Sequence, residues 1–349
     1  MVNRVIISSS LYQDLAIAIS ECSHDKIFVL TDNITHEKCW PLVGNFIGLR
    51  HAHHITIPCN DSHKDLASLS AVWESLSKEG ATRHSCLICL GGGMVTDLGG
   101  FAASTFKRGI NYINIPTTLL AMVDASVGGK TGINFNGLKN EIGVFSDSQH
   151  VIINTQFLNT LDQENILSGY AEMLKHGLIS STKTWSELLQ FDIINPDLSQ
   201  LQSIVGSSVA VKQDIVSQDP YEKGIRKSLN FGHTIGHALE SWSMHQNKPL
   251  LHGYAVAFGI ICELYLSCIL TGFPKDKLHT TAKFIREYYG IPRITCEDYP
   301  ALLEFMTHDK KNIGGTINFT LLEDVGKIRV NQTCSPEVIK ESLDFLREG

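Results

Sequence analysis

The sequence predicts an α/β fold in which a doubly wound N-terminal domain is followed by a mainly α-helical C-terminal domain. Three observations carry this. Short apolar runs alternate with helix-period stretches over roughly the first 155 residues. Beyond that point long helix-period segments take over. The chain has 349 residues, 43 % of them apolar and 19 % charged, which is the length of about two domains. Its mean hydropathy of +0.01 excludes a disordered or collagen-like chain.

The elements follow in order. Residues 27–31 (Ile-Phe-Val-Leu-Thr) and 86–90 (Cys-Leu-Ile-Cys-Leu) are continuous apolar runs, as strands covered on both faces tend to be, and 112–115 and 151–153 are two more. Helical stretches at 65–79 and 97–106 lie between them, so the sheet is expected to be parallel and doubly wound. The second half offers helices at 163–180, 198–217, 233–244, 253–270 and 277–289 and a small hairpin within 317–330. This places the domains at 1–155 and 156–349.

The net charge of −7 and the pI near 6.1 leave no electrostatic footprint for nucleic acid or an anionic membrane. No apolar run approaches the roughly 20 residues that span a bilayer, and the opening Met-Val-Asn-Arg-Val-Ile-Ile reads as no leader. The expectation is a soluble, cytoplasmic protein with neither nucleic-acid nor membrane partners. Nine cysteines, an odd number, scatter from Cys22 to Cys334 with no metal-type pair of pairs. Cys86 and Cys89 have chelate spacing, but a strand sends them to opposite faces. His51, His53 and His54 fit a surface strand and are given no role.

Three clusters could carry chemistry. Gly91-Gly92-Gly93-Met94-Val95-Thr96-Asp97 follows a buried strand and opens a helix, where glycines admit a ligand to the backbone and the helix N-terminus favours phosphate. It is not the GxGxxG fingerprint, and a tight structural turn satisfies the same pattern. The stretch from Pro116 to Thr131, followed by Lys139-Asn140, mixes glycines, threonines and lysines suited to oxyanions, without the P-loop order. The third cluster is the most informative. Glu172 and Lys175 share a helix face, His233 and His237 stand at i, i+4, and His252 precedes an apolar helix. One glutamate with two or three histidines is the ligand set of a catalytic zinc, and the absence of a glutamate after the first histidine disfavours a metalloprotease. Lys130, Lys139, Lys175, Lys212, Arg226 and Lys310 in or near these clusters, within an acidic chain, suggest a small anionic substrate.

At these residues the sequence resembles the 3-dehydroquinate synthase family. The blocks 91–101, Arg108-Gly109, 116–131, 137–143, 169–177, 229–240, 251–257 and 309–311 run in the family's order over nearly the whole chain. The resemblance implies an N-terminal domain that binds NAD, a helical C-terminal domain that holds Zn2+ or Co2+, and an active site in the cleft. It implies Glu172, His233 and His252 as metal ligands. Asp32, Asp61, Lys64, Gly92, Gly93, Asp97, Thr117, Thr118, Lys139 and Thr160 would bind NAD. Asp124, Lys130, Asn140, Lys175, Lys212, Arg226, Asn230, His237 and Lys310 would bind the substrate, a phosphorylated keto-sugar acid, and Arg108 would reach the neighbouring site in a homodimer. Lys130, Glu222, Asn230 and His237 would be catalytic.

The implied reaction oxidises a ring carbinol transiently with NAD, eliminates phosphate, returns the hydride, opens the ring and closes a carbocycle by an aldol step. Three positions depart from the common pattern: Asn60-Asp61 stands for Gly-Glu, Tyr254 for a glutamate, and Glu164-Asn165 for Arg-Glu. The alternatives are a cyclase of the inosose or valiolone synthase type, a metal-dependent alcohol or glycerol dehydrogenase that would release NADH, and a binding protein that has lost the chemistry.

Overall fold

The computed structural model describes residues 4–136, 138–307 and 316–348. They form two compact units, one running through Asp162 and taking in Asp197–Val209, the other made of Gln163–Pro196 and the chain from Ala210 onward. The short return at 197–209 has no local signature, because it is the first half of a helix whose remainder belongs to the second unit.

The first unit is built on β1 (Arg4–Ile7), α1 (Leu11–Glu21), β2 (Ile27–Asp32), α2 (Asn33–Lys38), β3 (His53–Ile57), α3 (Leu66–Lys78), β4 (Cys86–Gly91), α4 (Gly93–Thr105), β5 (Asn111–Pro116), β6 (Lys130–Phe135), β7 (Leu138–Phe145) and β8 (His150–Ile153). Six strands form one sheet in the order β1-β8-β5-β4-β2-β3, every neighbouring pair parallel. β2 and β4 are buried at every position, which is why they read as unbroken apolar runs. Phe28, Leu30, Leu87 and Cys89 face Leu69, Val72, Leu98 and Ala102 of α3 and α4. Cys86 points the other way, its sulfur 3.4 Å from that of Cys22 at the end of α1. The two thiols of β4 thus lie on opposite faces, as the strand period requires. β3 is one of the two edge strands, and its His54 packs edge-on against Trp40 at 4.2 Å. β6 and β7 pair as a separate antiparallel hairpin whose second strand is exposed throughout.

The second unit contains α5 (Gln163–Ser180), α6 (Thr182–Gln190), the second half of α7 (Leu198–Gln218), α8 (His233–His245), α9 (His252–Leu270), α10 (Lys275–Tyr289), α11 (Tyr299–Thr307), the hairpin β9 (Phe319–Asp324) with β10 (Lys327–Gln332), and α12 (Pro336–Glu348). α9 is its central post, packed on α5, α8, α10, α12 and β9. An 18-residue window of this 19-residue helix reaches a mean hydropathy of 1.8, enough by length and composition to cross a membrane. Surrounded on all sides, α9 has little polar face to keep, and 72 % of its apolar window is buried.

Candidate metal and cofactor sites

Three helices of the second unit meet at backbone distance, and glycine makes this possible. A Cβ on Gly253 would lie 1.8 Å from the Ser168 carbonyl oxygen, and one on Gly259 would lie 1.9 Å from that of Gly232. The start of α9 therefore presses on α5, and its middle on the start of α8. The Gly253 N–H donates to Ser168 Oγ at 3.0 Å. The consequence is that Glu172 of α5, His233 of α8 and His252 of α9 each offer a ligand atom within 4.8 Å of the others.

Each imidazole is oriented from behind. His233 Nδ1 lies 3.0 Å from the Phe231 carbonyl, which can only accept, so Nδ1 carries the hydrogen. Its Nε2 then faces Glu172 Oε1 at 3.3 Å. His252 Nδ1 lies 3.2 Å from Glu240 Oε2, and its Nε2 lies 3.4 Å from the same Glu172 oxygen. A histidine held on one nitrogen by a carboxylate or carbonyl, with the other aimed inward, is how proteins prepare a metal ligand. Glu172 is fully buried, and neither of its oxygens accepts a hydrogen bond of good geometry. What surrounds them is charge: the Lys175 ammonium sits against Oε2. A buried carboxylate facing two imidazole nitrogens is the donor set of catalytic zinc, and the same set suits Co2+. These residues fit a divalent cation.

The electrostatics agree. Burial alone would raise the Glu172 carboxyl, but Lys175 and His233 overcome it and hold it well below the usual range. Burial pushes His233 down to about 4. For His252 burial acts in the same direction, yet Glu172 and Glu240 outweigh it and lift the imidazole to about 10.

The His237 ring is 5.3 Å from that of His233 and 5.9 Å from that of His252. Asn230 Nδ2 donates to Glu222 Oε1 at 2.6 Å, joining two of the expected catalytic groups, with Glu222 at φ 58°. Arg226 is buried on the 219–226 loop and gives Nη1 to the Pro220 carbonyl at 2.5 Å. Lys212 is buried on the second half of α7. Lys310 lies outside the described residues.

In the first unit the winding reverses between β2 and β4, since β3 lies to one side of that pair and β5 to the other. Ligands of open α/β sheets bind outside the carboxyl ends of the strands at such a point. Asp32 closes β2 and caps α2, its Oδ1 accepting from Thr35 N at 2.8 Å. Gly92 caps the thirteen-residue α4 without any side-chain cap, and a helix N-terminus of this kind suits phosphate. Cβ atoms on Gly92 and Gly93 would come within 3.1 Å of Thr118 and 3.2 Å of Ala125, so both positions are tight for a side chain. Thr117 and Thr118 follow β5.

Lys64 is buried and gives its ammonium to Asp97 Oδ2 and Asn140 Oδ1, both at 2.5 Å, while Lys139 lies 3.2 Å from Asp61. Thr160 is 3.6 Å from the Cys39 sulfur. Of the residues expected to touch substrate, Asp124 sits in a single π-turn (Ala121–Ala125) and Lys130 opens β6. Arg108, at φ 68°, lines a cavity of about 380 Å³ beside β5 and β7.

Two functional carboxylates escaped the sequence reading. Glu240, one turn beyond His237 on α8, was visible only as an i, i+3 neighbour of a histidine. Glu263, fully buried on α9, accepts from the N–H groups of Gly232, Thr234 and Ile235 at 2.7, 3.0 and 3.3 Å, fixing the turn that presents His233. In sequence it was one glutamate in an apolar helix.

A parallel α/β unit with an open helix N-terminus at its switch point, and a helical unit with a carboxylate–bis-imidazole triangle, define a nucleotide- and metal-dependent class of enzyme. Two family models, 3-dehydroquinate synthase N-terminal and C-terminal, match residues 54–168 and 169–312. A 3-dehydroquinate synthase of Parabacteroides distasonis is 56 % identical over 346 residues, 99 % of this chain and 98 % of that protein. Among solved structures, the 2-epi-5-epi-valiolone synthase of Streptomyces hygroscopicus, with NAD+ and Zn2+ bound, superposes with a TM-score of 0.86 at 23 % identity, covering 99 % of this chain and 97 % of that one. A 2-deoxy-scyllo-inosose synthase in complex with carbaglucose-6-phosphate, NAD+ and Co2+ gives 0.83 at 23 % identity, over 97 % and 95 %. The chain belongs to the 3-dehydroquinate synthase family. The inosose, valiolone and dehydrogenase readings are not favoured, because the full-length likeness at high identity is to 3-dehydroquinate synthases.

Proposed function

We propose that the chain converts 3-deoxy-D-arabino-heptulosonate 7-phosphate to 3-dehydroquinate and phosphate, a carbon–oxygen lyase reaction of the shikimate pathway. The observation that carries this is the Glu172–His233–His252 triangle in a chain 56 % identical, end to end, to a 3-dehydroquinate synthase. When bound, the divalent metal supplies Lewis-acid polarisation of substrate hydroxyls and NAD a reversible hydride acceptor.

The rest falls to the chain's own residues. Glu172, His233 and His252 hold the metal, with Phe231 and Glu240 fixing the two rings. Asp32, Asp61, Lys64, Gly92, Gly93, Asp97, Thr117, Thr118, Lys139 and Thr160 bind NAD, and the uncapped N-terminus of α4 takes its pyrophosphate. Lys130, Lys175, Lys212, Arg226 and Lys310 hold the substrate's phosphate and carboxylate, while Asp124, Asn140 and Asn230 orient its hydroxyls. His237, beside the two ligand rings, and Glu222, hydrogen-bonded to Asn230, move a proton at the oxidised carbinol oxygen in this reading.

The chain acts as a homodimer in which Arg108 serves the neighbouring site. Support comes from the exposed apolar side chains of the β6–β7 hairpin, Leu138, Ile142, Val144 and Phe145, and from the cavity at Arg108. Its nine cysteines all stand as free thiols, which suits the reducing cytoplasm.

The test is phosphate release from the heptulosonate phosphate with NAD below substrate concentration and Zn2+ present, with absorbance at 340 nm followed. Phosphate appearing over many turnovers of NAD with no net NADH supports the reading. NADH accumulation on simple polyols without phosphate release overturns it.

A further inference from the structure

One side chain that none of these roles uses stands between the 61–64 turn and the β6–β7 hairpin, all within the first unit. The Asn134 backbone N–H donates to the Lys64 carbonyl at 2.7 Å. Its side-chain Nδ2 donates to the Asp61 carbonyl at 3.0 Å and lies 3.4 Å from Asp61 Oδ2. From the other end of the same amide, Oδ1 accepts the Asn140 backbone N–H at 2.9 Å. The Lys64 ammonium reinforces the junction by reaching Asn140 Oδ1 at 2.5 Å.

The residues that Asn134 hydrogen-bonds are therefore ones assigned above either to the nucleotide (Asp61, Lys64) or to the substrate (Asn140). A carboxamide donates from one end and accepts at the other, which is how Asn134 serves this junction. Asn140 also needs the help. At φ 50° it occupies the left-handed region, a strained conformation that persists when its surroundings fix it.

We propose that Asn134 is a positioning residue that clasps the nucleotide-side turn to the hairpin carrying Asn140, so that NAD binding and sugar-phosphate binding support one another through its amide. This rests on the functional reading above. Asn134 is only half-buried, so its variants are expected to fold.

The experiment measures NAD affinity by isothermal titration calorimetry and the KM for the heptulosonate phosphate in wild type, Asn134→Ala and Asn134→Asp, with melting temperature as the control. Asn134→Ala is expected to raise both constants about tenfold, the size of a lost hydrogen bond between partly buried polar groups, with kcat changed far less. Asn134→Asp keeps an acceptor for the Asn140 N–H but sets a carboxylate against Asp61. It is expected to weaken NAD about as much as alanine does while moving KM less. Folded variants that match wild type in both constants overturn the clasp, as does a fall in melting temperature with both constants unchanged. A wild-type protein that binds no NAD overturns the cofactor reading and the clasp together.

Discussion

Adding one methyl group at Gly253 should dismantle the metal site without touching a ligand. A Cβ there would lie 1.8 Å from the Ser168 carbonyl oxygen, and that obstacle is backbone, which no rotamer change can clear. The closest ordinary C···O contacts are about 3.3 Å, so α9 would have to retreat by about 1.5 Å from α5. His252 is the neighbouring residue and would move with it, away from Glu172 Oε1, which its Nε2 now faces at 3.4 Å. Metal–ligand distances tolerate only about 0.2 Å. Gly253→Ala should therefore lose at least a hundredfold in zinc affinity, and the overpacking itself should cost about 1–3 kcal/mol of stability. The assay is competition with a chromophoric chelator, alongside circular dichroism and a melting curve with and without Zn2+. A variant that binds zinc as wild type does would refute the claim that backbone contact between α9 and α5 sets the ligand triangle.

Other expectations follow from the same geometry. Glu240→Gln removes the carboxylate behind His252 and should weaken the metal about ten- to a hundredfold, read by the same competition, with the fold unchanged. Lys64→Ala strips a buried partner from Asp97 and should cost about 2 kcal/mol in urea unfolding, less than for a fully buried pair because Asp97 is partly solvated. Metal binding at pH 7.5 should release about one proton. Glu172, held low, and His233, near 4, are already deprotonated there, whereas His252, raised to about 10, must give one up. The release should vanish as pH rises through that value, and calorimetry in buffers of different ionisation enthalpy reads it. No proton released at pH 7.5 would contradict the assignment.

How much of this was legible before the fold was seen differs element by element. β2 and β4 announced themselves because a strand covered on both faces has no polar side to confuse the pattern. α5 was read to its ends at Gln163 and Ser180 because its period is long and unbroken. The β6–β7 hairpin was invisible: β7 is exposed throughout, so it carries neither an alternating nor a continuous apolar signal, and its glycines and lysines read as a loop. β1 was missed because it runs along an edge of the sheet, where fewer positions need to be apolar, whereas β3, at the other edge, showed only as the surface strand that His53 and His54 fit.

The metal ligands were readable as residue types on helices. Their convergence was not, since it depends on Gly253 and Gly259 admitting backbone contact. Glu263 shows the limit most clearly. A buried carboxylate that accepts three backbone N–H groups is defined by partners about thirty residues away, and nothing in its own neighbourhood marks it.

The central claim is that one hydride leaves the substrate and returns to the same carbon around a phosphate elimination. Its most direct test uses heptulosonate phosphate carrying deuterium at C5, the carbinol that NAD would oxidise, with NAD present in catalytic amount. Transient oxidation at C5 should give dehydroquinate that retains the deuterium, one phosphate released per product, and no deuterium on the recovered nicotinamide beyond one enzyme equivalent. Deuterium collecting on the nicotinamide as NADH accumulates, with phosphate still esterified, would make the chain a dehydrogenase and contradict the account.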